Sequence, residues 1–274
     1  MSPRAEPALA VHDVSKAFRG VAAVNGASFS VAPRSITALI GPNGAGKTTM
    51  FDLISGFLRP DAGNIVHDGQ VISGRRLEQT AGLGLVRTFQ LTRTFLALTV
   101  LDNMLVGSPR HPGERLASLL LRPRRAWRTE RLERERAEQL LDAFALADQA
   151  RALAGTLSGG QRKLLELARA LMARPRTLLL DEPMAGVNPT MGIRLLEHVR
   201  RVRDDHGVTV LFIEHDLEAV IRYSEHVIVM AGGAVIADGT PELIRRDRRV
   251  LDAYLGLGKA APTAAAQVPG ARPE

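Results

Sequence analysis

The chain has 274 residues, 45% hydrophobic and 24% charged, enough for a sizeable core in one large domain or two small ones. The lack of cysteine excludes a disulfide framework, a thiolate metal site and a cysteine nucleophile, and no run approaches the roughly 18 consecutive apolar residues of a membrane-spanning helix. The net charge of +7 invites a nucleic-acid partner, but aromatic residues make up only 4% and the arginines are spread out, so an anionic membrane nearby or an arginine-rich proteome suits the charge better.

Residues 1–7 read as a loose leader without the apolar centre of a secretory signal, so the chain is expected to stay soluble in the cytoplasm. "ALAVHDV" and "ASFSVAP" cluster apolar residues at strand length on either side of a turn-like "FRGVAAVNG". "SITALIGPNGAGKTTMFDLISGF" then reads as a short strand, a glycine-rich turn and a helix with Met50, Leu53, Ile54 and Phe57 at helical spacing. "NIVHDGQVI" reads as a hairpin turning at Asp68-Gly69.

From about Leu98 to Met172 the pattern is helical. "RTERLERERAEQLLDAFAL" puts Leu132, Leu140, Leu141 and Phe144 at core-facing intervals, with Glu130 four residues before Arg134 as a supporting ion pair. Strand signals return over 177–181, 208–216 and 226–239, the first two separated by a helical stretch over 190–204. This alternation implies an α/β fold with a mainly parallel sheet covered on both faces, and the helical block reads as an inserted subdomain. The closing "KAAPTAAAQVPGARPE" has little to bury and reads as a disordered tail.

"GPNGAGKTT" fits the phosphate-loop pattern G-x-x-x-x-G-K-[ST] at Gly41, Gly46, Lys47 and Thr48. Backbone N–H groups must wrap a polyphosphate at a helix N-terminus, and glycine alone allows that close approach. Lys47 can then reach the β- and γ-phosphates and the Thr48 hydroxyl can bind Mg2+. "TLLLDEP" ends a buried strand in two carboxylates, and a buried strand can carry Asp181 only if its end faces a cation or water. Asp181 suffices for the metal, which leaves Glu182 free to act as general base on a water. "LSGGQRK" precedes a helix with an apolar face of Leu164, Leu165, Ala168, Leu171 and Met172, a second anion-ready helix start.

These strings, with Phe18 in "KAFRG", Gln90 in "RTFQ", His215 in "FIEHD" and the turn "MAGVNP", resemble the nucleotide-binding subunit of ATP-binding cassette transporters over residues 8–256. The resemblance implies a P-loop NTPase (RecA-like) core with an antiparallel β subdomain and an inserted α-helical subdomain over about 91–172, followed by the tail at 257–274. It implies ATP and Mg2+ as cofactors. Gly41, Pro42, Asn43, Gly44, Ala45, Gly46, Lys47, Thr48 and Thr49 would cradle the nucleotide and Phe18 would stack on adenine. Thr48, Gln90 and Asp181 would serve the metal, with Glu182, His215, Gln90 and Lys47 catalytic. Ser158, Gly159, Gly160 and Gln161 would contact the γ-phosphate of a second copy across a head-to-tail dimer.

"LDNMLVG", "DEPMAGVNP", "IEHD" and the closing "AYLG" are particularly similar to the ATPase subunits of branched-chain amino acid importers. That group implies a peripheral protein on the cytoplasmic face of the plasma membrane. Its partners would be an identical or paralogous ATPase, two transmembrane permease subunits and a periplasmic or extracellular solute-binding protein, with no nucleic acid. Lipopolysaccharide export, uptake of amides or urea, and a soluble ATPase of the same superfamily are the alternatives. Asn188 stands where many cassettes place an aspartate, and Arg122, Arg124, Arg125 and Arg128 form a basic cluster that faces either lipid headgroups or solvent.

Overall fold

The computed structural model describes residues 6–88, 94–109 and 123–254, in the last stretch with side chains from residue 127 on. Gln90, Arg122, the leader through residue 5 and the tail expected to be disordered lie outside the described residues, as do the side chains of Arg124 and Arg125.

Two sheets organise the chain. The first is antiparallel, with strand order β2-β1-β4-β5, built from β1 (Leu9–Phe18), β2 (Val21–Val31), β4 (Ala62–His67) and β5 (Gln70–Val71). β1 and β2 meet at a two-residue turn with Arg19 at φ 47° and Gly20 at φ 85°, so most of the expected turn over "FRGVAAVNG" is strand. Register shifts between Val11 and Ala17 break the apolar alternation by which a strand is read, which is why the sequence concealed it. The Asp68-Gly69 hairpin forms where the sequence puts it.

The second sheet has order β10-β9-β3-β8-β7-β6, from β3 (Ile36–Ile40), β6 (Leu85–Thr88), β7 (Thr177–Asp181), β8 (Thr209–Ile213), β9 (His226–Ala231) and β10 (Ala234–Gly239). Its pairs are parallel except β9 with β10. β3, β7 and β8 are buried throughout, as strands covered on both faces must be. Alternate residues serve alternate faces. Leu39, Leu179, Leu211 and Ile213 pack toward the antiparallel sheet and α1 (Lys47–Ser55). Ile40, Leu178, Leu180, Val210 and Phe212 pack toward α4 (Pro123–Ala143), α5 (Gly159–Met172) and α6 (Pro189–His206). Each large apolar side chain so buried stabilises the fold by ~1.5–3 kcal/mol before conformational entropy is subtracted.

Between β4 and α4 lie α2 (Leu77–Gly82) and α3 (Val100–Val106). α7 (Leu217–Tyr223), α8 (Pro241–Arg246) and α9 (Arg248–Tyr254) complete the described helices. Two expectations from helical spacing, Phe57 on the helix after the loop and Leu132 in the core, are corrected. Phe57 is exposed because α1 ends at Gly56, whose left-handed φ of 84° closes the helix before the phenylalanine. Leu132 is exposed, whereas Leu140, Leu141 and Phe144 are buried, and the i,i+4 ion pair on α4 joins Arg131 to Glu135 rather than Glu130 to Arg134. Every residue of the expected apolar face of α5, from Leu164 to Met172, is buried.

Candidate functional site

The phosphate-loop residues, Asp181, Glu182 and His215 gather where β3, β7 and β8 end, the edge at which open α/β sheets bind ligands. β3 runs into the loop from Gly41 to Gly46 and so into α1. Two glycines there are required by their surroundings. A Cβ on Gly41, at φ 148°, would sit 2.0 Å from the Met230 carbonyl oxygen, and one on Gly46, at φ 96°, would sit 2.3 Å from that of Ala23. The loop is backed by β2 and by the β9–β10 turn, whose Gly233 N–H donates to the Ala45 carbonyl (3.2 Å) and whose carbonyl accepts from Asn25 N–H (2.8 Å).

α1 has no acidic residue in its first turn, leaving its N-terminal amides to an anion. The Lys47 ammonium donates to the carbonyls of Gly41 (2.7 Å) and Pro42 (2.9 Å). Burial lowers its pKa, and the neighbouring Glu182 and Asp181 work against that shift. Lys47 is thus a desolvated cation resting on neutral acceptors, which a phosphate would exceed as a partner.

Asn43, Gly44, Ala45, Gly46, Lys47, Thr48 and Thr49 line a cleft of about 330 Å3 with Ala23, Glu182 and His215. Glu182 stands at φ 47°, a left-handed conformation that costs a non-glycine residue ~1–2 kcal/mol. Its amide still donates to the Ile213 carbonyl (3.1 Å), and its Oε1 lies 2.7 Å from Nε2 of His215. That contact crosses from the end of β7 to the end of β8 and joins the two residues read as base and phosphate holder.

Asp181 is buried, and the charged group its carboxylate meets is a guanidinium. Arg87 on β6 donates to Asp181 Oδ2 (2.8 Å) and to Asp52 Oδ1 on α1 (2.5 Å), and its guanidinium lies 5.7 Å from the Phe51 ring centroid. Sequence reasoning missed Arg87; the available signal was a single charge within the strand-like "LVRT". Asp181 Oδ1 is buried without a hydrogen-bond partner. An anionic oxygen left in that state suits a hard cation with oxygen ligands, so the residues present fit Mg2+.

Phe18, Ser158, Gly159, Gly160 and Gln161 are not part of the cleft lining. Phe18, at the end of β1, is 43% exposed, with the Lys16 ammonium 5.7 Å from its ring centroid. At the start of α5, Ser158 and Gln161 form a reciprocal cap: Ser158 Oγ accepts from the Gln161 N–H (3.3 Å) and Gln161 Oε1 from the Ser158 N–H (3.0 Å). Gly159 is exposed, and Gly160 is small for a reason within the chain, since a Cβ there would meet Met191 Cγ on α6 at 2.3 Å. Of the basic cluster, Arg128 is exposed.

A family profile described as ABC transporter matches residues 24–185, and one described as branched-chain amino acid ATP-binding cassette transporter matches residues 234–259. The chain is 43% identical over 250 residues to the high-affinity branched-chain amino acid transport ATP-binding protein BraF of Pseudomonas aeruginosa, covering 91% of this chain and 98% of that one. It is 39% identical over 251 residues to LivG of Escherichia coli, a protein of the same description, covering 92% and 98%. Among solved structures, a nucleotide-free ATP-binding cassette from an ABC transporter is similar with TM-score 0.79 at 35% identity, covering 91% of this chain and 99% of that one. The ADP conformation of another such cassette gives TM-score 0.78 at 32% identity, covering 92% and 99%.

Proposed function

The chain belongs to the ABC transporter family of ATP-binding cassettes and is an ATPase, and from that premise we propose that it powers the uptake of branched-chain amino acids through partner membrane subunits. The branched-chain profile over β10, α8 and α9 supports this solute, as do the relatives named for it.

The observation that carries the hydrolytic reading is the Glu182–His215 contact in the cleft that Lys47 shares. In this reading the polyphosphate replaces the Gly41 and Pro42 carbonyls as partner of the Lys47 ammonium, while amides at the start of α1 point at its oxygens. Glu182 takes the proton of the attacking water, and His215 holds Glu182 and the γ-phosphate together. Mg2+ supplies neutralisation of the phosphate charge when bound; Asp181, Thr48 and Gln90 would hold it. Phe18 would offer adenine the ring face that Lys16 leaves uncovered.

We propose residues 8–256 as one cassette, with the helical part over about 91–172 inserted in the core. The α5 start has no acidic residue in its first turn and takes no part in the phosphate-loop cleft, which supports a role in the site of a second, head-to-tail copy. ABC ATPases work as dimers on membrane permeases. No described helix is long and apolar enough to cross a membrane. The relatives named as transport ATP-binding proteins support a peripheral place for the chain, on the cytoplasmic face, with a solute-binding protein across the bilayer. Exposed Phe95, Leu96, Leu98 and Leu153 come together through the hydrogen bonds of Ala154 and Gly155 to Leu98 and Leu96, an apolar patch suited to docking on a permease.

The test is uptake and ATP hydrolysis by the chain reconstituted with its permease in proteoliposomes, over leucine, isoleucine, valine, amides and urea. Stimulation by the three branched-chain amino acids is expected. Glu182→Gln should retain ATP binding and lose turnover by about a hundred-fold or more. Undiminished hydrolysis by that variant would remove Glu182 from the chemistry, and a response to amides or urea alone would overturn the solute assignment.

A further inference from the structure

The ladder between β7 and β8 stops at the Glu182 amide, and Glu214 follows at once on the β8 side. Glu214 is 5% exposed and does not line the phosphate-loop cleft. Its Oε1 accepts from the Met184 N–H (2.8 Å), two residues past Glu182, and its Oε2 accepts from the N–H of His215 (3.2 Å). A carboxylate held out of water costs several kcal/mol unless its oxygens are satisfied, and here both are satisfied by backbone of the two loops that carry catalytic candidates. Burial first, and the nearby Glu182 second among the raising effects, push the Glu214 pKa up, while the two amides hold it down. A carboxylate kept in such a place acts through what it joins.

We propose that Glu214 is a positioning residue for ATP hydrolysis: by tying the Met184 amide to the His215 amide it holds Glu182 and His215 in contact above the phosphate loop. The inference rests on the reading of Glu182 and His215 as the hydrolytic pair. Once the regular ladder has ended, this side chain continues the cross-link between the two loops. Without it, the Met184 and His215 amides need other acceptors, and the loops can shift relative to each other. A displacement of about 1 Å at reacting groups can cost on the order of a hundred-fold in rate.

Glu214→Gln and Glu214→Ala separate the elements of this argument. Glutamine keeps the shape and one acceptor oxygen but turns an amide N–H toward one of the two backbone donors; alanine satisfies neither. In the full-length protein, kcat for ATP hydrolysis should fall by about ten-fold in Glu214→Gln and about a hundred-fold in Glu214→Ala. KM for ATP and the Kd of a non-hydrolysable ATP analogue should stay within about two-fold, because Glu214 does not touch the cleft. The 15N signals of the His215 ring should move in Glu214→Gln, reporting the loss of its Glu182 partner. If Glu214→Ala does not fold, Glu214→Gln decides alone.

Unchanged kcat in Glu214→Gln would overturn the inference. So would a fall in kcat matched by an equal loss of analogue affinity, which would mark a purely structural role. Glu182→Gln run in parallel distinguishes the two levels: turnover surviving in that variant defeats the reading of the pair itself, whereas turnover lost there but intact in the Glu214 variants defeats only the role of Glu214.

Discussion

Arg87→Met tests the claim that Asp181 is held ready by a protein cation before any metal arrives. Methionine retains most of the apolar stem that passes Phe51 and deletes the guanidinium. The side chains of Arg87 and Asp181 are 8% and 1% exposed, so neither can recover by turning to water. Removing one partner of a pair so buried costs about 3–5 kcal/mol, most of it the penalty of the orphaned carboxylate. Asp52 also loses a partner, but at 23% exposure it can hydrate, adding at most about 1 kcal/mol. In urea unfolding without nucleotide or metal, Arg87→Met should therefore lose about 3–5 kcal/mol. At ~2–4 °C per kcal/mol for a chain of this size, Tm should drop by about 6–20 °C. Asp181→Asn placed on top of Arg87→Met removes the orphaned charge and should restore about 2–3 kcal/mol, a coupling expected only between groups in contact. A single variant losing less than about 1 kcal/mol, or a double variant no more stable than it, would refute the pair as the source of Asp181's stability.

Lys47→Ala should weaken the binding of a fluorescent ATP analogue by about ten-fold or more if the ammonium that lines the cleft is the phosphate partner proposed above; an unchanged Kd in titration would exclude it from that role. Burial lowers the pKa of His67, whose Nε2 lies 3.0 Å from the Thr177 hydroxyl, below its ordinary 6.5. The folded state thus favours neutral His67, so its contribution to stability is present above pH 6.5 and lost as pH falls through the lower folded value. His67→Gln should flatten that acid-side loss in urea midpoints measured between about pH 5 and 8, and an unaltered profile would contradict the burial argument.

How much of this was legible depended on whether the signal was local. β3, β7 and β8 could be read because both faces are buried, so their apolar runs are unbroken. β1 and β2 were cut short because register shifts scramble alternation, although the two strands pair, with those interruptions, from Leu9 to Phe18. Helical spacing put Phe57 on a helix and Leu132 in the core, but the left-handed Gly56 ends the one helix early, and Leu132 points to solvent on its own helix. Phosphate-loop residues were legible because the loop is contiguous. Arg87 with Asp181 and Glu214 with Met184 were not, since those partners are 94 and 30 residues apart and meet only through strand order.

Asn188 shows how a residue chosen for a distant role can be answering a local one. In the sequence its neutral amide stood out as a substitute for a charged residue at a dimer seam. In the fold it is the N-cap of α6: its Oδ1 accepts from the Met191 N–H (2.9 Å), with Pro189 at the first helical position. Asparagine and aspartate cap helices almost equally well, so the capping demand permits either. The cap also fixes where Met191 begins its turn, and Met191 is the side chain against which Gly160 of the "LSGGQ" stretch packs without room for a Cβ. The amide oxygen of Asn188 thereby registers the turn after Glu182 against the start of α5 within a single chain. Besides the second lone pair of Oδ1, its two amide hydrogens keep capacity for a further partner, and they add a donor that an ionised aspartate at the same place could not supply.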